Sequence, residues 1–405
     1  MPYARITIVV AVLALAGAAY GQERIGSGEI PTTYRPGWTF TPTFGVAETY
    51  DDNISLFGRG TAEGVNDDYI TTYFPEADLH YVGKHTSFGL GYHGSFLDYS
   101  TFALLNRWDQ SGRIEMRREE SARLKWYAHG NAAVRPETDL INLGGIPFRH
   151  VGTKTADGRG GIAYRLGGRD EITGSGSYQV IQFEEPIDPR QALFLRGGRI
   201  FETTSTWRHK INPRTAVGAD YGYRRARVIG DIDYFNLHNY EAAVEYELSP
   251  TWALSGAGGI SYMQQTATFP SRTGPAYRVA LQHGRAGTSF HVAYVRSIIP
   301  SFGFGGTIDN QEIGAGFRMP LFHSRHFYTD NSVVFRDDQP LTSLGVQLPL
   351  RSFRAYSVFG WEPQPWVRIE GFYARTSQSS LRAGGLIDRN RIGVQIVTSK
   401  PVRMR

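Results

Sequence analysis

The chain has 405 residues, of which 41% are hydrophobic and 20% charged, enough for one large domain or two ordinary ones. It contains no cysteine, which excludes a disulfide scaffold, a thiolate metal site, a cysteine nucleophile and a lipid-anchored N-terminal cysteine. The 43 basic and 38 acidic residues give a net charge of +5, and the basic residues are scattered, so the sequence predicts no nucleic-acid partner.

Residues 1–21 have the pattern of a secretory signal peptide. Arg5 provides a positive start, residues 6–16 are apolar, and the small residues Ala19 and Gly21 precede the expected cleavage position. No later stretch approaches the roughly 18 uncharged apolar residues that a membrane-spanning helix needs. The sequence therefore predicts an exported protein whose mature part has no transmembrane helix.

Beyond this segment, apolar and polar residues alternate with a period of two. In chain order, the clearest examples are residues 121–134, 201–210, 236–248, 252–262 and 365–373. Trp252, Leu254 and Ile260 fall on one face of their stretch, whereas the opposite face carries small residues such as Ala253 and Ser255. A period of two is typical of β-strands, and the glycines inside these stretches would weaken helices.

Short and long connections alternate between the predicted strands. The short turn signals lie near residues 83–85, 119–121, 167–169, 212–214, 249–250, 284–287, 323–325 and 363–365. The longer polar segments cover roughly 51–67, 100–107, 136–152, 185–198, 229–235, 267–275, 300–306, 337–348 and 379–387. Eight turns and nine longer segments predict about 18 strands of about 10–14 residues each.

This pattern predicts an all-β fold: a transmembrane antiparallel β-barrel of about 18 strands (16–18), with short periplasmic turns and longer extracellular loops. Hydrocarbon offers the backbone no hydrogen-bond partners, so a sheet that spans a membrane has to close on itself. The predicted barrel covers residues 38–399, between a periplasmic N-terminal segment, 22–37, and a C-terminal tail, 400–405. The predicted location is the bacterial outer membrane. A soluble sandwich with the apolar rows turned inward is the alternative.

Two classes of residue favour the barrel. Aromatic residues lie near strand ends on the apolar face, as interfacial girdles require: Tyr69, Tyr81, Trp126, Trp207, Trp252 and Tyr262. The opposite face carries charges that a dry core could not hold unpaired. The candidate lumen-lining residues are Arg113, Glu115, Arg117, Arg123, Lys125, Glu202, Arg208, Asp220, Arg224, Glu241, Glu245, Arg368 and Glu370. Their mixed signs favour ladders of ion pairs between strands, and a sugar- or ion-selective lumen is the alternative.

One stretch resembles a known family. "TPTFGVAETYDDNISLF", followed by "NDDYITTYFPEADLHYVGKHTSFGLGY", is similar to the N-terminal hairpin of a family of β-barrel porins found near bacterial exopolysaccharide loci. The shared features are the Tyr-Asp-Asp-Asn corner at 50–53, the Asp-Asp-Tyr-Ile strand at 67–70 and the interruption at Pro75. The resemblance implies an outer-membrane barrel associated with polysaccharide secretion. It assigns no catalytic residues.

Other chemistry has weaker support in the sequence. Asp51, Asp52, Asp67 and Asp68 bracket the first outer loop and suggest a Ca²⁺ site, but turn formation by Asp explains them better. An outer-membrane lipase would need a serine and a histidine together, and the histidines are scattered without a Gly-x-Ser-x-Gly motif. The sequence also has no HExxH motif and no phosphate-binding loop. We therefore expect no enzymatic activity and no cofactor.

Three functions remain open at this point. The first is a channel for exopolysaccharide or small solutes, in contact with outer-membrane lipids and with periplasmic polysaccharide export proteins as further partners. A general or substrate-selective diffusion porin is an alternative within this class. The second function is an outer-membrane enzyme, and the third is a structural barrel whose lumen is blocked. An aqueous channel is expected of barrels with about 16–18 strands unless something fills them.

Overall fold

In the computed structural model, the described residues are 37–54, 66–135, 152–184, 197–228, 234–285, 287–301, 306–322, 324, 326–343, 349–380 and 386–404. The predicted signal peptide and most of the predicted periplasmic segment lie outside these residues. The strands are β1 (Gly37–Asp51), β2 (Asp68–Val82), β3 (Thr86–Tyr99), β4 (Arg107–Glu119), β5 (Leu124–Arg135), β6 (Thr153–Arg165), β7 (Asp170–Phe183), β8 (Gly198–Asn212), β9 (Thr215–Val228), β10 (Phe235–Ser249), β11 (Trp252–Met263), β12 (Arg272–Arg285), β13 (Thr288–Ser301), β14 (Gly306–Pro320), β15 (Phe327–Ser343), β16 (Leu350–Gln364), β17 (Val367–Ser380), β18 (Leu386–Ser399) and β19 (Val402–Met404).

The long strands form a closed antiparallel barrel. Each of them pairs with its neighbours in chain order, and β1 pairs with both β2 and β18. Closure confirms the predicted antiparallel barrel of about 18 strands. Residues 400–405 were expected to be a tail, but Val402–Met404 form β19, which pairs with Trp38–Phe40 beside the start of β1. β18 and the short β19 thus pair with successive parts of β1 and together close the barrel.

Connections follow the predicted alternation of short turns and longer loops. Most strand ends lie within about four residues of the expected positions. The exception is the predicted loop 337–348, because β15 continues through Ser343. The polar residues there have partners on the adjacent strands: Asp338 faces the barrel interior and accepts a 2.7 Å hydrogen bond from Asn310, whereas Asp337 faces outward and lies 3.1 Å from Arg351. Their polarity therefore does not mark the end of a strand.

Contacts between strands that are not neighbours identify the inner face. Arg278 on β12 reaches Asp220 on β9 at 2.7 Å, across β10 and β11. Side chains from strands that are not adjacent can meet only on the concave side of a curved sheet. The register then assigns every other residue of each strand to the interior.

The outward face carries a continuous apolar band. Its members are each 39–58% exposed: Leu90, Ile114, Ile162, Val244, Leu254, Ile260, Val279, Ile313, Ile392 and Val394. So much exposed apolar surface is rare in soluble proteins and indicates contact with hydrocarbon. The alternative of a soluble sandwich with buried apolar rows is wrong for the described strands.

Aromatic side chains border this band near both ends of the barrel. Near the short turns, Trp38 contacts Tyr81 with ring centroids 5.0 Å apart, and Trp252 contacts His283 at 4.6 Å. Near the longer loops, Tyr50 contacts Tyr69 at 5.3 Å. The register also places the predicted girdle residues Trp126, Trp207 and Tyr262 outward. Two aromatic rows are the arrangement expected at membrane–water interfaces.

Helical structure is minimal in the described residues, where a single-turn 3-10 helix spans Ala103–Leu105. No helix in this part of the chain is long and apolar enough to cross a membrane.

The facing of β11 gives a first prediction. Leu254 points outward, and Ser255 points inward between Glu245 and Ala280. We expect Leu254→Arg to hinder membrane insertion, because a charge in the apolar band costs about 2–4 kcal/mol. Ser255→Arg adds the same charge next to a carboxylate on the inner face and should fold normally. The folded fraction of each variant can be measured by heat-modifiable gel migration, and equal behaviour of the two would contradict the assigned facing.

Candidate functional site

The barrel interior is the candidate functional site. The structure places these predicted lumen residues on inward positions of their strands: Arg113, Glu115, Arg117, Lys125, Glu202, Arg208, Asp220, Arg224, Glu241, Glu245, Arg368 and Glu370. Arg123 differs, since it lies in the turn before β5 and not in a strand. The reason is that β5 begins only at Leu124, so the alternation that suggested an inward Arg123 does not extend to it.

The inner faces of β8, β9, β10 and β12 share one charged cluster. Arg208 binds Asp220 with both terminal nitrogens, at 2.5 and 2.9 Å, and binds Glu245 through Nε at 2.9 Å. Arg278 bridges the same Asp220, at 2.7 Å, to Glu241, at 2.8 Å. Forked guanidinium–carboxylate pairs of this kind fix side-chain geometry as well as adding energy. The cluster therefore links four strands through side chains in addition to their backbone pairing.

Small inward residues on β11 make this bridge possible. Arg278 lies opposite Ala257, which in turn lies opposite Ala243 on β10. Because neither alanine fills the space above the sheet, the long Arg278 side chain can cross β11 to reach the carboxylates beyond it. The small residues on the inner face of β11 thus leave space for an arginine of the neighbouring strand.

A second cluster spans β2, β3 and β4. Arg113 on β4 donates to Asp78 on β2 at 2.7 Å, passing over Gly91 on β3. A Cβ atom at Gly91 would lie 2.6 Å from Arg113 Nε and 2.6 Å from Asp78 Oδ1, so a larger residue there would force this pair to shift. On the same wall, His93 lies 2.6 Å from Glu76.

The wall formed by β14–β18 is densely packed. Glu370 is 6% exposed and accepts hydrogen bonds from Tyr328 and Gln395. Arg368, 2% exposed, lies 3.0 Å from the same carboxylate, within ion-pair distance but not aligned for a hydrogen bond. Where β18 meets β1, Arg389 binds Asp51 at 2.8 and 2.5 Å, and both side chains are buried. This side of the interior leaves little room for water.

By contrast, the wall formed by β5–β8 is less buried, since most of its inward residues are half-buried and a few are exposed, and we call it the open wall. Its inward residues are mostly small or polar, and Ser175 hydrogen bonds to Thr204 at 2.6 Å. His129 and Arg159 lie opposite each other and are exposed. Among the described residues, Arg159 hydrogen bonds to Ser175 at 3.4 Å and has no carboxylate within ion-pair distance. Arg159 is thus a water-exposed cation on the open wall.

The far end of the β13–β14 hairpin lies inside the barrel mouth at the long-loop end. Pairing of β13 with β12 stops at Arg296, and beyond it residues of both faces are buried. Ile298 packs against Leu237 and Met263, which point inward from β10 and β11. Thr307 donates a 3.4 Å hydrogen bond to the Met263 sulfur. This segment (residues 298–301 and 306–308, the inward hairpin end) therefore occupies part of the lumen.

Sequence reasoning missed the inward hairpin end. Residues 298–299 are consecutive isoleucines, which break the period of two. Two consecutive apolar residues of this kind indicate a strand that is buried on both faces. This break in the alternation is the signal from which the inward hairpin end could have been predicted.

The four acids near the first loop all have protein partners. Asp51 pairs with Arg389, and Asp52 accepts hydrogen bonds from the backbone and side chain of Asn390. Asp67 accepts from the Tyr50 hydroxyl, and Asp68 accepts from the backbone of residues 101 and 102. The described residues contain no group of three or more side chains suited to hold a metal ion. The local bond expected of a turn-forming aspartate is present as well, since the backbone N–H of Asn53 donates to Asp51 at 3.1 Å.

No protein-family description and no curated protein match this chain. Among solved structures, it is similar to a BenF-like porin from Pseudomonas fluorescens Pf-5, with 10% identity, a TM-score of 0.47, and coverage of 90% of this chain and 99% of that one. It is also similar to Acinetobacter baumannii OccAB4, with 8% identity, a TM-score of 0.47, and coverage of 93% and 100%. A third is the outer membrane protein OpdK from Pseudomonas aeruginosa, with 9% identity, a TM-score of 0.46, and coverage of 89% and 99%. At these identities the similarity concerns the fold alone.

Because the two walls differ in burial, removing a carboxylate from each should lower the free energy of unfolding by different amounts. Glu370→Ala removes an ion-pair partner of the buried Arg368 and the acceptor of Tyr328 and Gln395, and we expect it to destabilise the barrel by about 3–5 kcal/mol. Glu202→Ala removes a pair with Arg224 whose side chains are 32% and 22% exposed, so its cost should be below about 1 kcal/mol. Denaturant unfolding in lipid vesicles, followed by tryptophan fluorescence, measures both. Equal losses would show that the walls do not differ in hydration.

Proposed function

We propose that this protein is an outer-membrane channel through which small hydrophilic solutes diffuse, with the charges of the open wall selecting among them. The observation that carries the proposal is the combination of a closed barrel, an apolar outward band and the less buried inner wall of β5–β8, where His129 and Arg159 are exposed. A closed sheet satisfies its backbone without water and can therefore reside in hydrocarbon. A barrel of this strand number encloses an aqueous lumen.

The interior also supports selectivity over unrestricted passage. The packed wall of β14–β18 and the inward hairpin end both occupy lumen space, which directs solutes towards the open wall. Charged side chains in a narrowed pore determine which ions pass. Arg159 is an exposed cation on that wall, so we infer a preference for solutes with an anionic group.

Secretion of exopolysaccharide, which the family resemblance implies, stays a prediction. A polymer would have to thread past the inward hairpin end, whereas a small solute needs only the space beside it. Polysaccharide added to one side of a bilayer should therefore not block the current if the channel serves small solutes.

The function itself is tested by reconstitution. The purified barrel inserted into planar bilayers should give discrete conductance steps, and vesicles containing it should swell in solutions of small sugars or organic acids. The absence of both currents and swelling, from protein that is folded by heat-modifiable migration, would point to a structural barrel instead. Current block by polysaccharide, with no swelling in small solutes, would favour export.

A charge reversal on the open wall tests the selectivity. Arg159→Glu places an anion where the structure has an exposed inward cation, so the reversal potential in a KCl gradient should shift towards cation preference. Lys154→Glu is the matched control, because it makes the same change on the same strand but on the outward face. Equal shifts in the two variants would contradict a role for the inner wall.

A further inference from the structure

The side chain of Tyr127 lies along the open wall of the lumen. Tyr127 is directly opposite Gly161 on β6. A Cβ atom at Gly161 would lie 2.7 Å from Tyr127 Cε1 and 2.8 Å from both Cζ and Oη, so the end of the ring occupies the space above this glycine. Tyr127 is half-buried. Part of its apolar ring surface is therefore presented to the lumen.

Two hydroxyl residues continue this row on the next two strands. Gly161 lies opposite Ser175 on β7, and Ser175 lies opposite Thr204 on β8. Neighbouring strands are about 4.8 Å apart, so the end of the Tyr127 ring lies one strand spacing from Ser175. The Ser175 and Thr204 hydroxyls are hydrogen bonded at 2.6 Å. Because each hydroxyl has one donor and two acceptor positions, the pair keeps an O–H donor and further acceptor positions for a ligand.

The side chain of Arg159 points towards the same row. Arg159 is opposite Ser177, one row nearer the long-loop end of the barrel, yet its Nη2 atom lies 3.4 Å from Ser175 Oγ. The guanidinium group is thus displaced from its own row towards the Ser175 hydroxyl and the end of the Tyr127 ring. Arg159 is also exposed. An apolar ring surface, a cation with forked N–H donors and a pair of hydroxyls therefore converge at one place on the open wall.

A glycine on the far side of the hydroxyl pair leaves this place accessible. Gly222 on β9 lies opposite Thr204. A Cβ atom at Gly222 would meet only the Cβ of Asn239, at 3.7 Å, so the described residues leave the space directly above this glycine open. We call Tyr127, Arg159, Ser175 and Thr204 the open-wall site.

We propose that the open-wall site binds a pyranose sugar that carries a carboxylate, a solute of the hexuronate class. The inference rests on the proposed channel function and names the class of solute that the open wall selects. A small number of placed polar groups beside an apolar surface is the usual composition of a small-molecule site.

Each part of a hexuronate has a matching group in the open-wall site. The C–H groups on one face of the sugar pack on the Tyr127 ring, and its hydroxyls exchange hydrogen bonds with Ser175 and Thr204. The carboxylate accepts from the guanidinium fork of Arg159. A neutral sugar offers no carboxylate to Arg159, and an aromatic acid without hydroxyl groups offers nothing to the hydroxyl pair.

The test measures saturable binding to the full-length folded barrel in detergent by ligand-observed saturation-transfer NMR, which requires no conduction. The probes are D-glucuronate, D-glucose and benzoate. D-glucose keeps the sugar ring and its hydroxyls but lacks the carboxylate, whereas benzoate keeps the carboxylate but lacks the hydroxyls. For the wild-type protein we expect D-glucuronate to bind about tenfold more tightly than either of the other two.

Substitutions on the two faces of the wall locate the site. Y127A should weaken binding of D-glucuronate about tenfold, whereas Y127F keeps the ring and should bind as the wild type does. The inner variant S175A, T204V removes both hydroxyls and should also weaken binding about tenfold. The control T203V, S205A makes the same kinds of change on the outward face of β8, so it should bind as the wild type does.

Several results would overturn the proposal. They are equal affinity for D-glucose or benzoate, wild-type binding by Y127A or by the inner variant, or an equal loss in the outward control. If a variant fails heat-modifiable migration, the comparison of the three probes on the wild type decides the matter without it.

The same measurements separate this proposal from the proposed function. Conductance steps in planar bilayers without saturable binding of D-glucuronate would reject the site and keep the channel. Saturable binding to a folded barrel that gives no currents would reject the channel and support the site.

Discussion

Closure of the sheet by pairing β1 with β18 is the constraint on which the rest of the structure depends. It satisfies the backbone groups that would otherwise be exposed at two edges. It also divides every strand into an inner and an outer row. With one row apolar and the other charged, closure commits the molecule to a hydrated interior and a hydrocarbon-facing exterior. The buried pair of Arg389 with Asp51 adds a side-chain link to this seam.

The interior is organised by side chains that cross strands. Arg113 passes over Gly91 and Arg278 passes over Ala257, so small residues on one strand determine which charges on its neighbours can meet. The same principle makes the lumen asymmetric. Large side chains and buried pairs fill the side of β14–β18, while small hydroxyl residues on β7 and β8 leave the opposite side open. The proposed passage of solutes along one wall rests on this difference in side-chain size.

The sequence alone determined the strand number, the alternation of loop lengths and the face to which nearly every lumen candidate belongs, because a period of two needs only neighbouring residues to be recognised. It also supplied the signal of the consecutive isoleucines at 298–299, though not their position inside the mouth. Only the tertiary structure decided which charges pair, since Asp51 and Arg389 are 338 residues apart and meet through closure. It likewise decided that Arg159 is exposed to water. The physical reason is that the alternation of apolar and polar residues determines which face of the sheet a side chain lies on. Which side chains of other strands it contacts depends on the strand register and on the curvature of the sheet.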